Sequence, residues 1–182
     1  MCIRDRGRAI PNDKALGNAW FVKEYQLVDN GDQEMDGLAN LNPANKALVQ
    51  KSFGSSLDGF NINYDSTANI KLTKYHPDKM EYTYSASSDQ LAVFSEIYYP
   101  PSKGWKTYLD GQEFDPFIKA NFLLRAMKLP AGQNRVLEMR FEPKSYYTGE
   151  TLSMISSILI LLTFFAALWL SLIHISEPTR PY

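Results

Sequence analysis

From Leu152 to Trp169 the chain carries no charged side chain. As a helix rising about 1.5 Å per residue, that run spans roughly 27 Å, close to the apolar thickness of a bilayer. Tyr146 and Tyr147 on one side and Trp169 on the other suit the aromatic belts of a membrane interface. A helix apolar on every side needs either lipid or a large protein around it. A chain of 182 residues, 45% of them hydrophobic, has room for one sizeable domain beside such a helix but not for a shell around it. The expectation is a transmembrane helix over 152–169, partnered by the lipid bilayer, with 144–151 as a juxtamembrane linker.

The two ends read differently from the middle. Met1-Cys2-Ile3-Arg4-Asp5 and Leu170-Ser171-Leu172-Ile173-His174 can be encoded by DNA stretches that are reverse complements. That DNA matches a transposon end used in preparing sequencing libraries. Residues 1–6 and 170–182 are therefore expected to be translated adapter and are set aside in reasoning about the fold. Excluding Arg4, Arg6, Arg180, Asp5 and Glu177 takes the 19 basic and 20 acidic residues to 16 and 18, a net charge of −2. So balanced a chain lacks the electrostatic footprint of a nucleic-acid binder. Cys2 and His174 drop out as well, leaving no cysteine and only His76. A disulfide framework and a Cys- or His-built metal site are excluded, and no cofactor is expected.

Residues 7–50 read as a β-α-β opening. Asn18 to Val28 is rich in aromatic and branched residues and predicts a strand. Asp29-Asn30-Gly31 breaks it, Asp32 is placed to cap a short helix, and Lys46 to Val49 resumes as a strand. Residues 51–66 are a loop by composition. Over 67–143 the period changes to two: Met80, Tyr82 and Tyr84 share one face and Glu81, Thr83 and Ser85 the other. Asp110-Gly111 suits a type I′ hairpin. Asn121 to Leu129 and Asn134 to Phe141 predict two further strands around Pro130-Ala131-Gly132. The expected fold is mainly β: an antiparallel β-sandwich or jelly-roll-like domain with a short N-terminal helix, 7–50 packing on 67–143, then one C-terminal transmembrane α-helix.

No catalytic set emerges. Gly54-Ser55-Ser56-Leu57 lacks the lysine of a phosphate loop. His76 sits in a Pro-containing turn. Asp110, Glu113 and Asp115 surround a hairpin, where turn chemistry already accounts for Asp110; with Asp89 they show no calcium-loop spacing. The candidate ligand-binding residues are Tyr98, Tyr99, Trp105, Asp110 and Arg125: flat aromatic faces, an acid and a guanidinium are the groups that hold sugars and sugar phosphates. Core packing is the alternative for Trp105, whose strand face carries Thr107 and Leu109. For Arg125, on a face with Leu123, Met127 and Leu129, the alternative is a structural ion pair with Glu96.

The runs Leu91-Ala92-Val93-Phe94-Ser95-Glu96-Ile97-Tyr98-Tyr99-Pro100, Gly104-Trp105-Lys106-Thr107-Tyr108-Leu109-Asp110-Gly111 and Ala120-Asn121-Phe122-Leu123-Leu124-Arg125-Ala126, with Leu129-Pro130-Ala131-Gly132 and the earlier Gly17-Asn18-Ala19-Trp20-Phe21-Val22, resemble the C-terminal region of the bacterial YfhO membrane proteins, in a Bacteroidetes-like version. The resemblance spans essentially the whole of 7–169. It implies a fragment of a large multi-pass protein similar to glycosyltransferases that use lipid-linked sugars. In such a protein this piece would be the extracytoplasmic β-domain and last helix at the bacterial cytoplasmic membrane. Its partners would be the remaining transmembrane helices, and an envelope polysaccharide or lipid-linked sugar. The catalytic acid of that architecture lies in an early loop outside this chain, so no catalytic residue carries over. The alternative is a single-pass anchored carbohydrate-binding or structural module.

Overall fold

The computed structural model describes residue 12 and residues 14–175; of the adapter stretches expected at 1–6 and 170–182, the first and residues 176–182 of the second lie outside the described residues. The chain divides into two compact units, one ending at Phe141 and the other starting at Glu142. In chain order the first holds β1 (Ala19–Val22), β2 (Glu24–Val28), α1 (Gly31–Leu38), β3 (Lys46–Gln50), β4 (Asn69–His76), β5 (Lys79–Ala86), β6 (Gln90–Ile97), β7 (Trp105–Leu109), β8 (Gln112–Glu113), β9 (Ile118–Ala120), β10 (Leu124–Leu129) and β11 (Gly132–Phe141). The second is α2 (Lys144–Ile175). The protein is mainly β, with antiparallel sheets and one C-terminal apolar helix.

One antiparallel sheet runs β1-β6-β10-β9 and a second β4-β5-β11-β7-β8. Their facing sides share one core, in which Phe21, Ala92, Phe94, Met127 and Leu129 meet Met80, Tyr82, Tyr84, Leu109, Leu137 and Met139. Strand β5 shows the expected period of two, with Met80, Tyr82 and Tyr84 buried and the residues between them partly exposed. Tyr82 meets Phe94 edge to face at 5.0 Å, an arrangement adding about 0.5–1.5 kcal/mol beyond burial. Burial drives the Tyr82 hydroxyl pKa well above the ordinary tyrosine value and pushes that of Tyr84 up to about 12.

Strand β6 does not alternate: Gln90 to Phe94 are all buried. The cause is a third, partial layer. Leu91 and Val93 point away from the sandwich core into a second cluster with Val22, Ala47, Val49, Leu57 and Phe60. That layer is the parallel pair β2-β3, joined through α1, so the β-α-β opening is present. Three details differ from expectation. The run Asn18–Val28 is two strands, because the Lys23 and Glu24 amides both turn to donate to the Asn45 carbonyl, at 2.7 and 3.1 Å. Asn30, not Asp32, caps α1: its extended backbone lets its side-chain oxygen accept from the Gln33 amide at 3.0 Å, while Asp32 sits in the first turn, where a negative charge suits the helix dipole. Within the expected loop 51–66, Lys51–Leu57 forms a 3₁₀ helix that buries Leu57.

The hairpin turn at Asp110-Gly111 has both residues at positive φ, 51° and 84°, as a type I′ turn requires. The expected strand Asn121–Leu129 is interrupted: Asn121 and Phe122 are left-handed, φ 49° and 67°, and separate β9 from β10. Helix α2 is longer than the expected 152–169. It takes in the expected linker because Thr148 and Thr151 donate back to the Lys144 and Tyr147 carbonyls, at 2.9 and 2.8 Å, and no breaker stronger than Gly149 intervenes. It continues past Trp169 through Leu170–Ile175, whose mostly apolar residues extend a helix whatever their origin. Its apolar side chains from Leu152 to Ile173 are exposed.

Candidate aromatic site

Four strand ends and one buried cation build the best-defined candidate face. β6 and β10 pair antiparallel with a register shift: Arg125 lies opposite Phe94 while Leu124 lies opposite Ile97, leaving Ser95 and Glu96 in a bulge. Past β6, Pro100 and Pro101 start a short 3₁₀ turn that Gly104 closes at φ 106°, a value suited to glycine alone. This turn delivers Tyr99, Lys103 and Trp105 to one surface, and β11 brings Phe141 into register with Trp105. The Trp105 and Phe141 rings lie 5.4 Å apart. The four side chains line a groove of about 350 Å³.

Arg125 lies beneath this face, 2% exposed. Its guanidinium is 4.2 Å from the Trp105 ring and 4.8 Å from Phe117. Its Nε donates to the Ile97 carbonyl at 2.9 Å and one terminal nitrogen approaches the Met139 sulfur at 3.8 Å. Desolvation lowers its pKa and the nearby Glu96 charge opposes that. The expected ion pair with Glu96 is replaced by aromatic stacking, because the bulge takes Glu96 out of register with Arg125. The guanidinium therefore holds the Trp105 indole in place from below.

Of the five candidate residues, Tyr99, Trp105 and Arg125 come together. Tyr98 turns elsewhere and meets Phe53 edge to face at 5.5 Å; burial raises its pKa. Asp110 stands at the opposite end of β7 from Trp105. Its carboxylate accepts from the Val136 amide at 2.9 Å and from Arg135 Nε at 2.7 Å, which lowers its pKa and fastens the hairpin to β11. Asp115 contributes its carbonyl to the Thr107 hydroxyl at 2.7 Å. His76 pairs with Asp78 in the turn. Among the described residues no group of three or more His, Cys, Asp or Glu is placed to hold a metal ion.

Two features were not read from the sequence. Glu34 on α1 is fully buried and accepts from the Phe122 amide and from Gln50 Nε2, both at 2.7 Å, with Lys119 at 3.8 Å. Asn121 trades bonds with Leu48: its amide donates to the Leu48 carbonyl and its Oδ1 accepts from the Leu48 amide, both at 2.8 Å. Together they pin the left-handed turn. The charge pattern of α1 hides this, since Glu34 stands among Asp32 and Asp36 as if on a solvated face. The second feature is a groove of about 410 Å³ between α1 and β2-β3, rimmed by Gln26, Gln33, Asn40, Asn42 and Asn45. Comparison with protein-family models, with curated proteins and with solved structures finds no match to this chain.

Proposed function

We propose that this chain is a non-catalytic β-domain held at a membrane by its C-terminal helix, and that it is the extracytoplasmic C-terminal part of a YfhO-like multi-pass protein of the bacterial cytoplasmic membrane. The parent would be a glycosyltransferase of the cell envelope using lipid-linked sugars, and the β-domain would support it or hold its acceptor. The observation that carries the tethering is α2. Its apolar side chains are exposed, and three hydroxyls in the apolar run donate to carbonyls of the same helix: Ser156 to Leu152, Ser157 to Ser153 and Thr163 to Ile160, at 2.8–2.9 Å. A helix that satisfies its own polar groups is what hydrocarbon permits. Tyr147 and Trp169 stand 22 residues apart, about 33 Å along the axis, a spacing that matches two interfacial belts. The YfhO assignment rests on the sequence resemblance.

The test is partition. The full chain should co-float with phosphatidylcholine vesicles and resist alkaline extraction, and the double variant Leu161→Arg, Phe165→Arg should be released, since each arginine at a span centre costs about 2.5–3.5 kcal/mol on insertion scales. Extraction of the unaltered chain would end the tethering reading. For the parent, recovery of the longer gene should show many hydrophobic spans upstream of Gly7; their absence favours the single-pass module.

A further inference from the structure

We propose that the end of the sandwich carrying Tyr99, Lys103, Trp105 and Phe141 seats in the headgroup region of the same bilayer that α2 crosses; the proposal rests on the tethering reading. These four residues come from the connection after β6, the start of β7 and the end of β11, and they line one groove. Arg125, at the start of β10, touches the Ile97 carbonyl, the Trp105 ring and Met139, and Tyr98 donates to the Leu123 carbonyl at 2.8 Å. Tyr99 is 49% exposed and Phe141 is 39% exposed. Large apolar groups in one exposed patch mark an interaction surface.

Two observations select lipid as the occupant. The groove is lined by three aromatic residues and one lysine, with no carboxylate or carboxamide of the kind a sugar's hydroxyls need. Tyr and Trp with a long cation are the residues of a membrane interface, where the rings lie at headgroup level and the lysine reaches phosphate. Chain connection supplies the second, through the six residue steps, at most about 20 Å, between Phe141 and the belt residue Tyr147. Phe141 is in the patch and α2 starts at Lys144, so three residue steps, at most about 10 Å, separate the patch from the start of the helix that carries the span. The underlying Arg125 guanidinium and the neighbouring Phe141 ring hold the Trp105 indole in place, which lowers the ordering cost of docking.

The experiment uses the full chain with Cys2→Ser, reconstituted in nanodiscs of phosphatidylcholine and phosphatidylglycerol. Single nitroxide labels are placed through Lys103→Cys, Tyr64→Cys and Ile160→Cys, with Tyr99→Cys as a second patch site should Lys103→Cys fold poorly. Collision with oxygen, which concentrates in lipid, is compared with collision with a water-soluble nickel chelate. The proposal expects label 160 deep in lipid, the patch label with an oxygen-to-nickel ratio several-fold above that of label 64, and label 64 in water. A lipid-buried label 160 with a patch label as wet as label 64 overturns the docking and leaves the anchor standing. A wet label 160 overturns the anchor itself. A patch label shielded from both reagents shows a protein or glycan cover and overturns lipid as the occupant.

Discussion

Replacing Glu34 by alanine should be among the most damaging single changes in the β-domain. Its carboxylate is completely buried and takes two short hydrogen bonds, from the Phe122 amide and the Gln50 side chain. The first compensates an expensive backbone: Asn121 and Phe122 are consecutive non-glycine residues in the left-handed region, each costing about 1–2 kcal/mol. Alanine would strand the Phe122 donor, the Gln50 amide and the Lys119 charge, and breaking such a buried arrangement costs about 3–5 kcal/mol. With a urea dependence of about 1–3 kcal/mol per molar for a domain this size, the midpoint should fall by roughly 2 M. Glu34→Gln should be milder, about 1–2 kcal/mol, because its carbonyl can still serve Phe122 and the Gln50 amide can reverse to accept. The assay is urea unfolding of the full chain in non-ionic detergent, followed by Trp20 and Trp105 fluorescence in a Trp169→Phe background. A loss under about 1 kcal/mol for Glu34→Ala would refute the latch. Equal losses for alanine and glutamine would show that charge, not acceptor geometry, does the holding.

Arg125→Lys should lower stability by about 1–3 kcal/mol, since an ammonium cannot stack as a plane between Trp105 and Phe117; Arg125→Met, which keeps the packing, should cost less in the same unfolding assay, and the reverse order would contradict the stacking role. Asp65 accepts from the hydroxyl and amide of Thr67 and of Ser87, led by the Thr67 hydroxyl, and these hold its pKa well below the ordinary value. Its folded pKa being the lower one, its contribution is present above about pH 4 and is lost as pH falls further. Asp65→Asn should therefore flatten the acid-side fall in Tm, and an unchanged slope would exclude Asp65 as its source. A Cβ at Gly132 would overlap the Arg135 stem, so Gly132→Ala should evict Arg135 from Asp110. The pair Gly132→Ala and Asp110→Ala should then cost less together than the sum of the two singles, by about 0.5–3 kcal/mol, and strict additivity would argue that Arg135 simply reorients.

The parts of the fold legible in the sequence were those governed by local rules. Met80-Glu81-Tyr82-Thr83-Tyr84 alternates because β5 has one buried face, and Asp110-Gly111 turns because only such residues tolerate two positive φ angles. The long uncharged run announced α2. What stayed hidden was set by distant contacts. The unbroken apolar stretch Leu91–Phe94 could signal burial on both faces, yet nothing local says that β2-β3 supplies the second cover. Glu34 looks like one more surface acid until Phe122, 88 residues away, is folded against it. The candidate residues fared the same way. Tyr99 and Trp105 meet because two prolines and Gly104 shape the connection between their strands, whereas Asp110, only five positions from Trp105, is carried to the far end of β7 by the strand's own length.

The tethering is tested most directly by the orientation of α2 in lipid. Polarised infrared spectra of the full chain in aligned phosphatidylcholine multilayers should show helical amide dichroism close to the bilayer normal, carried by about thirty residues. Dichroism indicating a helix lying in the membrane plane, or a helical signal lost to the aqueous phase, would contradict a spanning anchor.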